Sequence, residues 1–290
     1  MALSPLLLVV LAALAHASWN LFAKKAAPAG PVFVCAYNLV ACIAYLPLVI
    51  YELAAGRFIW SWAAGALLLA SGAIHLGYSL FLQLGYQKAE LSVVYPVARG
   101  TGPMLSTIAA ILLFGEAHNA LGLFGLALVV LGILLIATHG DLSLFQRPGA
   151  RSGVRYGGKT GGLIACYTVV DAYGVKSIGL APVILDWTSN LVRFLVLAPL
   201  ASANRAATAA CFRQYWIEIL AVGLLSPLGY ILVLGALSSG APLAQVAPMR
   251  EMSMMIGTLL GMAFLKEELS PWRLTGCAVL SGGVILLAAA

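Results

Sequence analysis

Arg99, Asp171, Arg250 and Glu251 lie inside long apolar runs of this 290-residue chain. A charged side chain at such depth costs about 2.5 to 3.5 kcal/mol on insertion scales, so each one kept there needs a partner, a water-filled cavity or a function. Charges of both signs can hold the opposite ends of a polar molecule, and a carboxylate or imidazole among them can carry a proton. His16 and His75 are the histidines in position for that second role, alongside Asp171 and Glu251. His16 and Asn20 are four residues apart and share a helical face, with Trp19 beside them and Lys24 one turn further on. Tyr95 directly precedes Pro96, while Tyr78, Tyr167, Tyr173 and Tyr230 fall nearer run centres than run ends. Interfacial belts occupy run ends, so tyrosines at centres are candidates to line a cavity, and Trp60, Trp62, Trp216 and Trp272 are the candidates for the belt.

The elements that must position these groups are apolar helices. With 62% hydrophobic and 9% charged residues, the chain has too little polar surface to solvate a globule of its size. A span needs about 20 apolar residues. Such runs fall at about 4–24, 32–52, 62–86, 91–114, 119–138, 160–178, 182–202, 215–237, 243–265 and 272–290. The expected fold is an all-α membrane protein of ten transmembrane helices. Residues 1–138 would form a first five-helix unit, 139–159 a polar linker and 160–290 a second five-helix unit. Ala15, His16 and Ala17 resemble a signal-peptidase site, but no basic residue precedes the run, and an internal counterpart of this helix argues for an uncleaved span.

That counterpart emerges on shifting the chain by 152 residues. Lys24 then meets Lys176, Asn38 meets Asn190, Pro47 meets Pro199, Tyr78 meets Tyr230, Pro96 meets Pro248 and Glu116 meets Glu268. Polar and proline matches at one offset point to duplication. Five helices is an odd number, so the second copy starts from the opposite side and the repeats are inverted (5+5). Under the same shift Arg99 is the mate of Glu251, which predicts an ion pair near the pseudo-two-fold axis. Arg250 would then be left for an anionic group or for Asp171. Asp186 and Arg193, with Asn190 between them, are expected to form a structural pair, and Glu116 and Glu268 solvated caps.

Other classes of function are disfavoured. The net charge of +6 is spread over connections rather than a basic face, so no nucleic-acid partner is expected. The chain lacks HExxH, GxSxG and paired cysteines, which argues against an enzyme or a metal site. Lys24, Lys25, Lys88, Arg147, Arg151, Arg155, Lys159, Arg205, Arg213, Lys266 and Arg273 lie on one side, and Arg57 and Lys176 on the other. The positive-inside rule thus places both termini outside the cytoplasm of an inner (plasma) membrane.

The residues quoted above also resemble a known family. His16, Ala17, Ser18, Trp19, Asn20 and Lys24, the stretch Tyr95 to Gly100 with Pro103, Tyr167 with Asp171, and Arg250, Glu251 and Ser253 are similar to the EamA group of the drug/metabolite transporter superfamily. Glu116 and Glu268 add to the likeness. The resemblance implies a central cavity lined by helices 1, 3, 4, 6, 8 and 9, and export or exchange of amino acids or similar metabolites. It also implies cytoplasmic termini, against the charge count. The expected site is His16, Trp19, Asn20, His75, Tyr78, Tyr95, Arg99, Tyr167, Asp171, Tyr230, Arg250 and Glu251. The expected ligand is a small zwitterionic or anionic solute, carried without a cofactor, with proton coupling as an option. Membrane lipid is the expected surrounding, as monomer or homodimer. The rival expectation is a flippase for a lipid or lipid-linked substrate, whose cavity would open sideways into the bilayer.

Overall fold

The computed structural model describes residues 2–89, 91–265 and 270–290, and these form a helical bundle. Glu268 and Lys266 lie outside them. The helices are α1 (Leu3–Lys25), α2 (Gly30–Ala54), α3 (Trp62–Lys88), α4 (Leu91–Phe114), α5 (Ala120–Thr138), α6 (Ala150–Tyr173), α7 (Pro182–Ala203), α8 (Arg205–Ser238), α9 (Leu243–Met249), α10 (Met252–Leu265) and α11 (Pro271–Ala289). Local chemistry sets several of the boundaries. Proline opens α2, α7 and α11, where its missing N–H is not needed. Ser61 accepts from the Ala64 N–H at 3.0 Å to start α3, and Asn119 accepts from Gly122 at 2.7 Å to start α5.

Among the described residues eight helices are long and apolar enough to cross a membrane. The two remaining runs differ for reasons visible in their residues. Helix α6 begins at Ala150 inside the polar stretch, so Arg151, Arg155 and Lys159 sit in its first turns. The ninth run is divided into α9 and α10 at Arg250 and Glu251. Large apolar side chains also point outward, among them Ile43, Leu112, Leu113 and Ile285. In water that pattern would be an aggregation liability; in lipid it is the solvated face. The connection before α6 is polar. The Ser143 hydroxyl, its N–H and the Arg147 guanidinium hold the exposed Asp141 carboxyl below the usual carboxylate range.

Close packing rests on small residues, as expected where lipid supplies no hydrophobic drive between helices. Gly153, Gly157 and Gly161 line one stripe of α6, and a Cβ at Gly157 would come within 2.8 Å of the Val94 carbonyl oxygen on α4. Helices α5 and α11 interlock through four glycines: Gly125 faces Gly283, and Gly132 faces Gly276. Further contacts run between α1 and α8, α3 and α6, α2 and α7, α2 and α8, and α3 and α7. Val9, Ile133, Leu185, Leu234, Leu243 and Leu280 form the buried centre of this packing.

Candidate solute site

The break between α9 and α10 follows from Pro248. Proline has no N–H and its ring displaces the carbonyl four residues back, so the helical ladder loosens there. Unbonded backbone is intolerable away from water, and the chain tightens instead of opening. Glu251 N donates to Pro248 O at 3.0 Å, Ser253 N to Arg250 O at 3.2 Å, and Met254 N to Glu251 O at 2.9 Å, each spanning three residues rather than four. This turn places Arg250 and Glu251 side by side in the interior, 4% and 0% exposed.

Helix α4 brings Arg99 to the same point. Its Nε lies 3.0 Å from Glu251 Oε2, so the ion pair expected from the repeat is present. The N–H is not aimed at the oxygen, and neither carboxylate oxygen accepts an aligned hydrogen bond, which makes the contact Coulombic. Arg99 Nη2 donates to Ser253 Oγ at 3.2 Å and lies 3.3 Å from His16 Nε2. Arginine can only donate, so His16 Nε2 is the acceptor and the imidazole proton belongs on Nδ1. Arg99 also stands 5.9 Å from the Tyr95 ring centre. Arg250 has a thinner set of contacts. Its Nε is 3.9 Å from Glu251 Oε1, and Nε and Nη2 have no hydrogen-bond partner in the protein.

A second group gathers on Asp171 of α6. Its Oδ2 accepts from Tyr230 Oη at 2.5 Å and lies 3.0 Å from His75 Nε2, while Oδ1 has no partner. The His75 ring stacks on Tyr167 at 4.0 Å. Tyr167 meets Tyr78 and Tyr230 edge-on at 5.7 and 6.0 Å, and the Arg250 guanidinium carbon is 6.0 Å from its centre. Tyr167 therefore joins an arginine–glutamate group to an aspartate–histidine group, giving a buried locus with both signs of charge and aromatic walls.

Not every residue singled out by sequence joins this locus. Trp19 touches His16 edge-on at 4.9 Å, with its indole N–H buried and unpartnered. Asn20 is exposed and turns its amide back to the His16 carbonyl at 2.7 Å. Tyr173 is half-exposed and stands apart, because it is two positions from Asp171 and so on another face. Asp186 and Arg193 do not touch directly; Asn190 bridges them, donating to Asp186 Oδ2 and accepting from Arg193 Nη2, both at 2.8 Å. Glu116 is a cap, but a part-buried one on another helix. Ser253, which bonds Arg99, stood out in the sequence only by its place beside Arg250 and Glu251, and Thr168, buried and unpartnered beside Asp171, only as the mate of His16 under the 152-residue shift. Among the described residues no group of three His, Cys, Asp or Glu side chains could hold a metal ion.

The EamA-like transporter family model matches residues 3–138. Two curated relatives, each a multidrug resistance protein EbrB, come from Bacillus subtilis (strain 168) and Bacillus atrophaeus. Each is 38% identical over 56 residues, 19% of this chain and 48% of the relative, so the chain spans about half the length of the curated proteins it matches. A crystal structure 16% identical in sequence superposes with a TM-score of 0.74 over 99% of this chain and 96% of its own, which shows a shared fold.

Proposed function

We propose that this chain, whose residues 3–138 match the EamA-like transporter family model, is a transporter of that kind and moves a small zwitterionic or anionic solute across the membrane by alternating access around the Arg250–Asp171 locus. The observation that carries this reading is the state of the two charges. Arg250 is buried with unpartnered Nε and Nη2, and Asp171 is buried with an unpartnered Oδ1. Each unmet hydrogen-bonding group on a buried charge costs about 1 to 3 kcal/mol or more, so a solute that meets such a group is held there. Charges with spare bonding capacity on either side of Tyr167 suit a solute with an acidic group at Arg250 and an amino group at Asp171. Glu251, bound to Arg99, sets the potential that Arg250 works in.

The inverted 5+5 repeat is part of this proposal. It is supported by contacts that occur in mates: α1 on α8 with α6 on α3, and α2 on α8 with α7 on α3. Val40 meets a Cβ built at Gly223, and Val192, its mate at 152, meets one at Gly72. After one deletion the shift becomes 151, which makes Gly276 the mate of Gly125 and Gly283 the mate of Gly132, so the Gly125–Gly283 and Gly132–Gly276 contacts have the reciprocal form of a two-fold, with residue and mate exchanging partners. Two related halves around a charged midplane site are a usual basis for alternating access.

A thermal-shift panel of amino acids, other organic anions and cationic compounds on the purified protein tests the site. A ligand that binds the folded state raises the midpoint saturably with concentration. The expected hit is zwitterionic or anionic and disappears in both Arg250→Ala and Asp171→Asn; a hit unaffected by both substitutions refutes the site. A second reading, lipid flipping, is favoured by one feature, a cavity of about 570 Å³ lined mostly by apolar groups, among them Leu67, Leu113, Phe114, Val170 and Tyr173. On that reading Asp171→Asn is tolerated and lipids are the hits.

A further inference from the structure

Helix α9 begins without a cap of its own: Pro242 precedes it and offers no side-chain acceptor. Its first amides are taken by Glu116, from the connection between α4 and α5. Glu116 Oε1 accepts from Leu243 N and Oε2 from Ala244 N, both at 2.8 Å. Lys176, in the π-helical turn that follows α6, donates to Oε1 at 2.6 Å and to the Ala241 carbonyl at 3.3 Å. The Lys176 ammonium also sits 5.8 Å from the Phe114 ring centre. One carboxylate thereby ties the ends of α4, α6 and α9 together at one end of the bundle. Helix N-termini favour a carboxylate, and charge-assisted hydrogen bonds are the strong ones.

The tie holds the first two residues of the seven-residue α9, and Arg250 and Glu251 directly follow its last. Thr107 of α4 adds a bond to the Ala244 carbonyl at 3.3 Å, so α4, which carries Arg99, is fastened to the same segment. A movement of α9 that breaks these bonds would shift it against α4, and with it the spacing of Arg99, Arg250 and Glu251. In the sequence the 152-residue shift gives Glu116 and Lys176 the mates Glu268 and Lys24, so both halves carry the pair.

We propose that Glu116 and Lys176 form the gate at this end of the solute pathway, closed while the carboxylate holds the two α9 amides and open when it lets them go. The gate acts on the site through α9, and it rests on the transport reading above. Separation of the part-buried carboxylate from its donors is the step that exposes α4 and α9 to the solvent on this side.

Cysteine accessibility tests it without any solute. Cys35, Cys42, Cys166, Cys211 and Cys277 are replaced by alanine, and Ser106→Cys is introduced as reporter. Ser106 is 1% exposed and lies two turns from Arg99 toward the Glu116 end of α4. Right-side-out and inside-out vesicles are then treated with a membrane-impermeant maleimide. Slow labelling is expected with Glu116 and Lys176 intact. Glu116→Gln and Lys176→Met are each expected to raise the rate about tenfold or more, from one side alone, the scale of a lost hydrogen bond to a charged group. Lys176→Arg should keep the rate low. An unchanged rate in both Glu116→Gln and Lys176→Met overturns the gate, and so does a rise from both sides, which reports a loosened fold. Should Glu116→Gln fail to fold, Lys176→Met decides alone. Unchanged labelling removes the gate and leaves the solute site standing, whereas an empty thermal-shift panel removes the solute site and leaves this result intact.

Discussion

Replacing Glu251 with leucine removes the carboxylate that lies 3.0 Å from Arg99 Nε and 3.9 Å from Arg250 Nε. Two guanidinium groups then share a sealed interior, and among the described residues no other carboxylate lies within ion-pair reach of either. Removing one partner of a buried pair costs about 3 to 5 kcal/mol. With two cations stranded, Glu251→Leu belongs at the upper end, about 5 kcal/mol. Arg99→Leu strands one carboxylate but leaves it Arg250, so it belongs at the lower end, about 3 kcal/mol. The double variant strands only Arg250 and should cost at least about 2 kcal/mol less than the sum of the singles. Thermal unfolding of purified protein, followed by tryptophan fluorescence, measures all three. At roughly 2 to 4 °C per kcal/mol, Glu251→Leu should melt about 4 to 8 °C below Arg99→Leu. Losses that simply add, or an Arg99→Leu variant that melts below Glu251→Leu, would refute the account of the site as two guanidinium groups sharing one anion.

Two other outcomes follow from the packing and the charge pattern. Gly282→Ala adds a methyl where nothing lies within 4 Å and should gain about 0.5 to 1 kcal/mol from helix propensity, whereas Gly132→Ala puts a Cβ 2.7 Å from the Leu280 Cβ and 2.8 Å from the Gly276 carbonyl oxygen and should lose about 1 to 3 kcal/mol. Opposite shifts in melting temperature are the expected readout, and a gain at both positions would contradict the α5–α11 interlock. Ser143→Cys, in the exposed connection before α6, should react with an impermeant maleimide in inside-out vesicles and not in right-side-out ones; the reverse would overturn the positive-inside orientation.

Much of the locus was legible before the structure because membrane burial makes charge conspicuous. Arg99, Asp171, Arg250 and Glu251 stand out against apolar neighbours, and the 152-residue shift alone paired Arg99 with Glu251. Residues whose role depends on what faces them were less legible. Tyr173 and Tyr167 look alike in the sequence, both aromatic and both near Asp171, yet the helical period turns one outward and the other onto His75. Asn190 was expected between Asp186 and Arg193, but that it bonds to both is a matter of rotamers on one face of α7. Glu116 looked like an ordinary run-end carboxylate because its donors, Leu243 and Ala244, are more than a hundred residues away.

The sequence by itself determined the helical class, the membrane setting, the polar stretch before the second half and the charged residues of the locus. Hydropathy is a sum over neighbours in the chain, and repetition is a comparison of the chain with itself, so both can be read along one dimension. The partition of partners was decided only by the tertiary structure. Asp171 sharing one oxygen between Tyr230 and His75, Arg250 left with unmet donors while Arg99 takes Glu251, and Glu116 closing the start of α9 all depend on distances of a few ångströms between distant segments. Those distances are set by how closely the glycine faces of α4 with α6 and α5 with α11 allow the helices to approach, and no local pattern encodes that approach.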